Sequence, residues 1–141
     1  AEGFFIDWYE TALKPGEIVT GVKLPAMPDG SIGYYDKVAR VAGDFATVSV
    51  AVALHMTGAT CAAIRIAVGG CGPAPVHLDA VDTELRGSTL EKLALIAAGE
   101  KLDAACDPVD DVRASAAYRR KIVPRVVQRA VLAAKDEAAQ P

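Results

Sequence analysis

The order of sequence patterns predicts an α+β fold, in which an antiparallel β-sheet packs on about three helices. Apolar residues alternate with small residues in the first half of the chain and recur at helical spacing from about Asp79 onward. Strands that come before the helices, rather than alternating with them, are typical of this class. The chain has 141 residues and is 52% hydrophobic, which is enough apolar side chain for one core of ordinary domain size.

Residues 1–25 divide into an apolar leader, from Gly3 to Leu13, and an extended segment that follows it. Aromatic residues between Gly3 and Leu13 fall about one helical turn apart, and a Lys-Pro-Gly sequence then stops any helix. Glu17 to Leu24 mixes apolar and polar residues, which predicts an extended segment that Pro25 closes. Because the chain begins at Ala1 and enters the aromatic stretch directly, we expect a truncated or processed polypeptide.

A β-hairpin is the clearest element of the predicted sheet. Tyr34 to Ala39 has the pattern of a first strand. From Val48 to Leu54 every second residue is valine or leucine, and isoleucine and valine alternate in the same way from Ala62 to Val68. The sequence Thr-Gly-Ala-Thr between these two strands supplies the reversal. The other face of the strand from Val48 is small rather than charged, so burial of both faces is open.

Three helical segments follow a Gly- and Pro-rich break after the hairpin. They span Asp79 to Arg86, Leu90 to Ala105, and Ser115 to about Ala138. Ser88 has the position of an N-cap for the second helix. Pro124 either kinks the last helix or marks its true start. We expect the sheet to pack against helical stripes that contain Leu93 and Val127.

One side of the last helix is predicted to be basic. It carries Arg119, Arg120, Lys121, Arg125 and Arg129. Such a row is usually the solvated side of an amphipathic helix. An anion site or a subunit interface is the alternative, because the planar guanidinium makes bidentate contacts with carboxylates.

Composition and motifs exclude several classes of function. The net charge of -3 and the pI near 5.3 give no general attraction to nucleic acid or anionic lipid. No apolar run is long enough to cross a bilayer, so we expect a soluble, cytoplasmic protein with neither nucleic acid nor membrane as a partner. The glycines after the hairpin match no phosphate-binding motif, and two prolines among them remove backbone donors.

No metal or catalytic motif is found. His55, Cys61, Cys71 and His77 lack the spacing that places metal ligands together. The three cysteines are expected to be buried free thiols, and Cys106 has no predicted base beside it. We therefore expect neither a metal site nor a catalytic residue in this chain.

The segment YYDKVARVAGD gathers charged residues directly before a strand. Lys37, Arg40 and Asp44 lie there beside a glycine. Charges at a sheet edge either face a ligand or keep the edge soluble. The residues alone leave both alternatives open.

Four segments of the chain carry a resemblance to a known family. They are, in order, FFIDWYETALKPGEIVTGVKLP, KVARVAGDFATVSVAVAL, IRIAVGGCGPAPVHL and YRRKIVPRVVQRAVLAA. In sequence and order they resemble the C-terminal part of the FAD-binding medium subunit of the molybdenum hydroxylases. That group includes aerobic CO dehydrogenase and the xanthine dehydrogenase family. The resemblance covers essentially the whole chain.

The resemblance implies a fold, a cofactor and partners. It implies the sandwich of the CO dehydrogenase flavoprotein C-terminal domain for residues 26–141, with residues 1–25 as leader and closing strand of the FAD lobe. In the family, this subunit passes electrons from iron–sulfur clusters in a small subunit to an acceptor. The clusters receive them from a molybdenum cofactor in a large subunit. Most of the FAD is held by glycine-rich motifs of an N-terminal lobe, which are absent here.

The resemblance also implies the residues of a flavin site. Val19 matches a position that lies against the flavin, and Ile18 flanks it in the same strand. Lys37 matches a lysine near the isoalloxazine, where a cation favours the anionic reduced flavin. Arg40 and Asp44 belong to the same loop. Several relatives carry two adjacent arginines where this chain has Arg40-Val41, which changes the charge of the loop.

These observations lead to one expected function and one rival. We expect the chain to form part of the flavin environment of a molybdenum hydroxylase, to share its FAD with an absent N-terminal lobe, and to be inactive alone. The rival is a cofactor-free assembly domain that contacts other subunits. In the family, the substrate pocket lies in another subunit.

Overall fold

The computed structural model describes residues 3–140 and has an α+β architecture. Its strands are β1 (Phe5–Asp7), β2 (Glu10–Thr11), β3 (Ile32–Val38), β4 (Val48–Thr57), β5 (Thr60–Gly69) and β6 (Val76–His77). Its helices are α1 (Asp79–Leu85), α2 (Lys92–Ala105) and α3 (Ala116–Ala138). The predicted class, an antiparallel sheet with three helices, is confirmed.

The main sheet is antiparallel throughout, in the order β3-β4-β5-β6. The predicted hairpin is confirmed, because β4 and β5 pair from Ser49↔Gly69 to Thr57↔Thr60. Directly paired residues share one face of a sheet. The register Lys37↔Ser49 and Val38↔Val48 therefore places Lys37 and Val38 on opposite faces.

One face of the sheet is covered by helices and forms the core. α3 contacts β3 and β4, α2 packs on α3, and α1 contacts β5. The alternating apolar residues of the hairpin face this layer and are fully or almost fully buried; they are Val48, Val50, Val52, Leu54, Ile64, Ile66 and Val68. The opposite face of the main sheet is open near its middle, where Ala51 and Ala63 are exposed. Burial of both faces, left open by the sequence, is therefore found only at the start of β4.

The second helix begins later than its periodicity predicts. Leu90 has a φ of 56°, a conformation outside the α-helix, and α2 starts at Lys92 with Glu91 as its N-cap. Ser88 still accepts a hydrogen bond from the Leu90 N–H at 3.2 Å, one turn too early to cap the helix.

This start fixes which residues of α2 reach the core. Leu95 and Leu102 are buried, whereas Leu93 is 85% exposed. The prediction that Leu93 packs against the sheet is therefore wrong. Val127 on α3 is buried as predicted.

The basic side of α3 is not uniformly solvated. Arg119 is only 4% exposed, and its guanidinium donates to the backbone carbonyls of Thr47 and Gly70 at the ends of β4 and β5. The prediction that Arg119 lies on an outer basic face is therefore wrong. Arg120 donates to the carbonyls of Asp103 and Cys106 at 2.9 and 2.8 Å. Arg129 makes two hydrogen bonds with Asp36 of β3, which ties α3 to the sheet edge.

The aromatic leader forms a hairpin rather than a helix. β1 and β2 pair antiparallel, and the turn between them includes Tyr9 at a φ of 60°. The Ala12 N–H donates to the Phe4 carbonyl at 2.8 Å and closes the hairpin. An αL residue interrupts helical hydrogen bonding, which explains why the helical spacing of the aromatics was misleading.

The structure also decides two further predictions, one about Pro124 and one about the cysteines. α3 continues through Pro124, so this proline does not mark the helix start. The three cysteines are buried free thiols, as predicted. Within residues 3–140, none of the helices combines the length and the hydrophobicity that a membrane-spanning helix requires.

Candidate functional site

The loop between β3 and β4, residues 39–46, is organised around Lys37. The Lys37 Nζ donates hydrogen bonds to the carbonyls of Ala42 and Asp44 at 2.8 and 2.9 Å. At the base of the loop, the Thr47 N–H donates to the Val38 carbonyl at 2.7 Å. Lys37 thus joins the open sheet face to the loop, and within residues 3–140 these two carbonyls engage two of the three hydrogens of its ammonium.

Asp44 contacts two arginines, Arg40 in the same loop and Arg113 in the segment before α3. Its Oδ2 lies 3.2 Å from Arg40 and its Oδ1 lies 3.5 Å from the Nε of Arg113. Asp44 also caps the Phe45 N–H at 2.8 Å. Partial desolvation acts to raise the pKa of Asp44, but the hydrogen bonds from Arg40 and Phe45 outweigh it and lower that pKa. The structure therefore brings Lys37, Arg40 and Asp44 into one loop cluster.

Arg113 and Arg119 belong to this cluster, although sequence reasoning missed the first and misplaced the second. Arg119 NH1 donates to the carbonyls of Thr47 and Gly70 at 2.5 and 2.8 Å. Its NH2 donates to Asp111 Oδ1 at 2.6 Å. No local pattern pairs these residues, because the contacts join segments far apart in the sequence.

Ile18 and Val19 lie outside this cluster. Both are exposed, at 79% and 54%, and they belong to a segment without regular secondary structure. Within residues 3–140, this apolar segment pairs with no strand, so its backbone can add to a sheet of another chain.

Tyr35 is a further candidate that sequence reasoning passed over. It lies two residues before Lys37 in β3, so both side chains project from the open face of the sheet. Its ring is 62% exposed. The two-residue alternation of β3 was the signal that could have identified it.

A small cavity of about 230 Å³ lies beside the loop. Its wall combines aromatic and guanidinium groups; the lining residues include Trp8, Tyr9, Phe45, Arg113 and Arg119. The aromatic hairpin of the leader therefore reaches the same end of the domain as the charged cluster.

The glycines after β5 form a structural turn. Gly70 has a φ of 77°, and a Cβ there would lie 3.1 Å from the Thr47 carbonyl oxygen and 3.2 Å from that of Ala46. Glycine allows this close approach to the backbone just before β4. The prediction of a tight turn is consistent with this packing.

A second polar cluster lies at the other edge of the sheet. The His77 Nε2 is 3.2 Å from Asp82 Oδ2 and 3.5 Å from Asp79 Oδ1. Burial raises the pKa of Asp82, which accepts the Ile66 N–H, and His77 opposes that rise. The Nε of Arg65 lies 3.1 Å from the same His77 nitrogen, so a cation already occupies this cluster. His55 and the cysteines do not join it.

Comparisons with known proteins agree with the family resemblance of the sequence and with the observed fold. Residues 33–134 match the family described as CO dehydrogenase flavoprotein C-terminal domain. The carbon monoxide dehydrogenase medium chain of Hydrogenophaga pseudoflava is 34% identical over 134 residues, which is 95% of this chain and 47% of that protein. The chain thus spans about half the length of this relative.

A solved structure and a further relative are also similar to this chain. The crystal structure of the Cu,Mo-CO dehydrogenase in its cyanide-inactivated form superposes with a TM-score of 0.88 at 34% identity, over 95% of this chain and 47% of that chain. The aldehyde oxidoreductase FAD-binding subunit PaoB of Escherichia coli (strain K12) is 40% identical over 77 residues, which is 54% of this chain and 23% of that protein.

Proposed function

Because the chain belongs to the CO dehydrogenase flavoprotein C-terminal domain family, we propose that it forms one wall of the flavin site in a molybdenum hydroxylase. The observation that carries this proposal is the likeness over 95% of the chain to a CO dehydrogenase medium chain, which includes the β3–β4 loop. The site is shared, since the chain spans about half of that relative.

The described residues fit an isoalloxazine wall. The open face of β3 presents the exposed Tyr35 ring for stacking and the Lys37 ammonium two residues away. Small residues of β4 beside them, among them Ala51, leave room for a flat ring system. Ile18 and Val19 supply exposed apolar surface for the edge of the flavin or for the lobe that holds it.

The division of roles follows from these surfaces. Bound FAD supplies the two-electron and one-electron chemistry, while Lys37 places a positive charge where the reduced ring carries negative charge. Arg40 and Asp44 hold the loop that fixes this ammonium. We assign residues 1–25 to the flavin lobe and residues 26–141 to the C-terminal domain.

The proposed partners are an N-terminal FAD lobe, a small iron–sulfur subunit and a large molybdenum-cofactor subunit. The exposed apolar residues between Glu17 and Leu24 support such a contact, since a contiguous apolar surface is typical of an interface. They include Ile18, Val22 and Leu24, each at least 79% exposed. We place this assembly in the cytoplasm and expect no turnover by the chain alone.

A hybrid flavoprotein tests the proposal. The N-terminal half of the Hydrogenophaga pseudoflava medium chain is produced with and without this chain, and FAD is titrated by its fluorescence quenching. We expect tight FAD binding only when both parts are present, at least tenfold weaker binding for Tyr35→Ala and Lys37→Met, and no change for Lys121→Met on α3. The two halves of the relative serve as the positive control.

Two outcomes would contradict the flavin role. Stoichiometric FAD uptake by the 141 residues alone would show a complete site rather than one wall. A hybrid that forms but binds FAD equally well with and without Tyr35 and Lys37 would favour the rival function, a cofactor-free assembly domain.

A further inference from the structure

A network of alternating charges connects the buried start of α3 to the exposed β3–β4 loop. Arg119 donates to Asp111 Oδ1 at 2.6 Å, and Arg113 NH1 donates to Asp111 Oδ2 at 3.3 Å. The Nε of Arg113 then lies 3.5 Å from Asp44 Oδ1 in the loop. Because Arg119 is almost fully buried, the inner end of this network is fixed by the core.

The position of Arg113 is set by its own turn, independently of the loop. Its backbone N–H and that of Ala114 both donate to Asp111 Oδ1, at 2.8 and 3.0 Å. The Asp111 N–H donates back to the Ala114 carbonyl at 3.1 Å. A guanidinium mounted on such a closed turn loses little further entropy when it contacts a second segment.

Arg113 contacts the loop in two ways. Its Nε forms the ion pair with Asp44, and its guanidinium carbon lies 5.0 Å from the centroid of the Phe45 ring, a cation–π distance. The Phe45 ring is otherwise 77% exposed. The loop that carries Asp44 and Phe45 is also the loop whose carbonyls hold the Lys37 ammonium.

We propose that Arg113 is a positioning residue for the flavin site, which acts through Asp44 and Phe45 to fix the β3–β4 loop and thereby the Lys37 ammonium. This inference rests on the proposed function, because the ammonium affects electron transfer only if a flavin lies against β3. Arg113 itself touches no flavin in this proposal.

The first test measures the loop in the 141-residue chain alone. Hydrogen exchange of residues 39–46 is followed by mass spectrometry in wild type, Arg113→Ala, Asp44→Asn and the double variant. We expect several-fold faster exchange in each single variant. In the double variant we expect an increase smaller than the product of the two single effects, because the Arg113–Asp44 ion pair is lost in both single variants. Exchange in the β4–β5 hairpin should stay at the wild-type rate and report intact folding.

Matched variants separate position from charge. Arg113→Lys keeps the charge but loses the planar fork, so its loop exchange should lie between wild type and Arg113→Ala. Arg125→Ala, which removes an exposed arginine of α3, should leave the loop unchanged. Wild-type loop exchange in Arg113→Ala, or effects of Arg113→Ala and Asp44→Asn that multiply, would overturn the inference.

The second test measures the flavin in the hybrid protein. We expect the midpoint potential of bound FAD to become more negative in Arg113→Ala and to be partly restored in Arg113→Lys, because a displaced ammonium stabilises reduced flavin less. An unchanged potential with a loosened loop would overturn the positioning role. Failure of the wild-type hybrid to bind FAD would refute the proposed function, while the exchange experiment still decides whether Arg113 controls the loop.

Discussion

The α2–α3 contact gives the sharpest prediction about stability, because Gly99 and Pro124 meet there at close range. A Cβ added at Gly99 would lie 2.5 Å from the Pro124 Cα and 3.1 Å from its carbonyl oxygen. Carbon atoms in contact prefer about 3.5–4.0 Å, so the two helices must separate by roughly 1 Å. The obstacle is backbone, which no rotamer change can move aside.

The magnitude follows from two opposing effects. Alanine is favoured over glycine in a helix interior by about 1 kcal/mol. Overpacking of a well-packed core costs about 1–3 kcal/mol, and separated helices lose further dispersion contacts. We expect Gly99→Ala to destabilise the chain by about 1–2 kcal/mol, against the sign that helix propensity gives.

Urea unfolding followed by far-UV circular dichroism measures this effect. The control is Ala97→Gly, at an exposed position of the same helix, which should cost about 1 kcal/mol through propensity alone. Greater stability of Gly99→Ala than of wild type would show that α2 and α3 do not approach as closely as described.

Three other predictions use the same unfolding assay. Arg119→Met should cost about 1–3 kcal/mol, because it strips the buried Thr47 carbonyl, the part-buried Gly70 carbonyl and a carboxylate of their donor, whereas Arg125→Met should stay within about 0.5 kcal/mol. Leu102→Ala should cost about 2–5 kcal/mol and Leu93→Ala less than about 0.5 kcal/mol, because only Leu102 is buried. Asp111→Asn should lower stability at pH 7 and converge with wild type in acid, because hydrogen bonds from the Ala114 and Arg113 N–H groups and from Arg119 lower the pKa of Asp111.

The acid effect depends on the direction in which folding shifts the pKa of Asp111. A carboxyl whose pKa is lowered by folding contributes stability above its unfolded pKa near 3.8, and that contribution is lost as the pH falls toward the folded value. A constant difference between Asp111→Asn and wild type from pH 7 to pH 3 would contradict this linkage. Equal costs for Arg119→Met and Arg125→Met, or for the two leucine variants, would contradict the burial on which the other predictions depend.

The strands and the order of elements could be predicted because they depend on local alternation. The valines of β4 and the isoleucines of β5 repeat every second residue, and that period is compatible with one burial pattern only. The helical period of α3 likewise identified Val127 as a core residue. Local patterns fail where one unusual backbone conformation changes the phase, as Leu90 does for α2 and Tyr9 does in the leader.

The site was predicted in part. Lys37, Arg40 and Asp44 are neighbours in sequence, so their gathering in one loop was visible in the chain and in its family resemblance. The flavin roles of Lys37, Arg40, Asp44, Ile18 and Val19 stay predictions, and the hybrid titration tests that of Lys37.

By itself, the sequence determined the family, the fold class and the charged segment after β3, because each depends on residue type and local spacing. The tertiary structure alone decided that Arg119 lies inside, that Leu93 lies outside, and that Arg113 contacts Asp44. The physical reason is that a helix has many faces, and only long-range packing selects the one that is buried. Ion pairs between distant segments are selected in the same way, because their energy depends on a distance that no local pattern specifies.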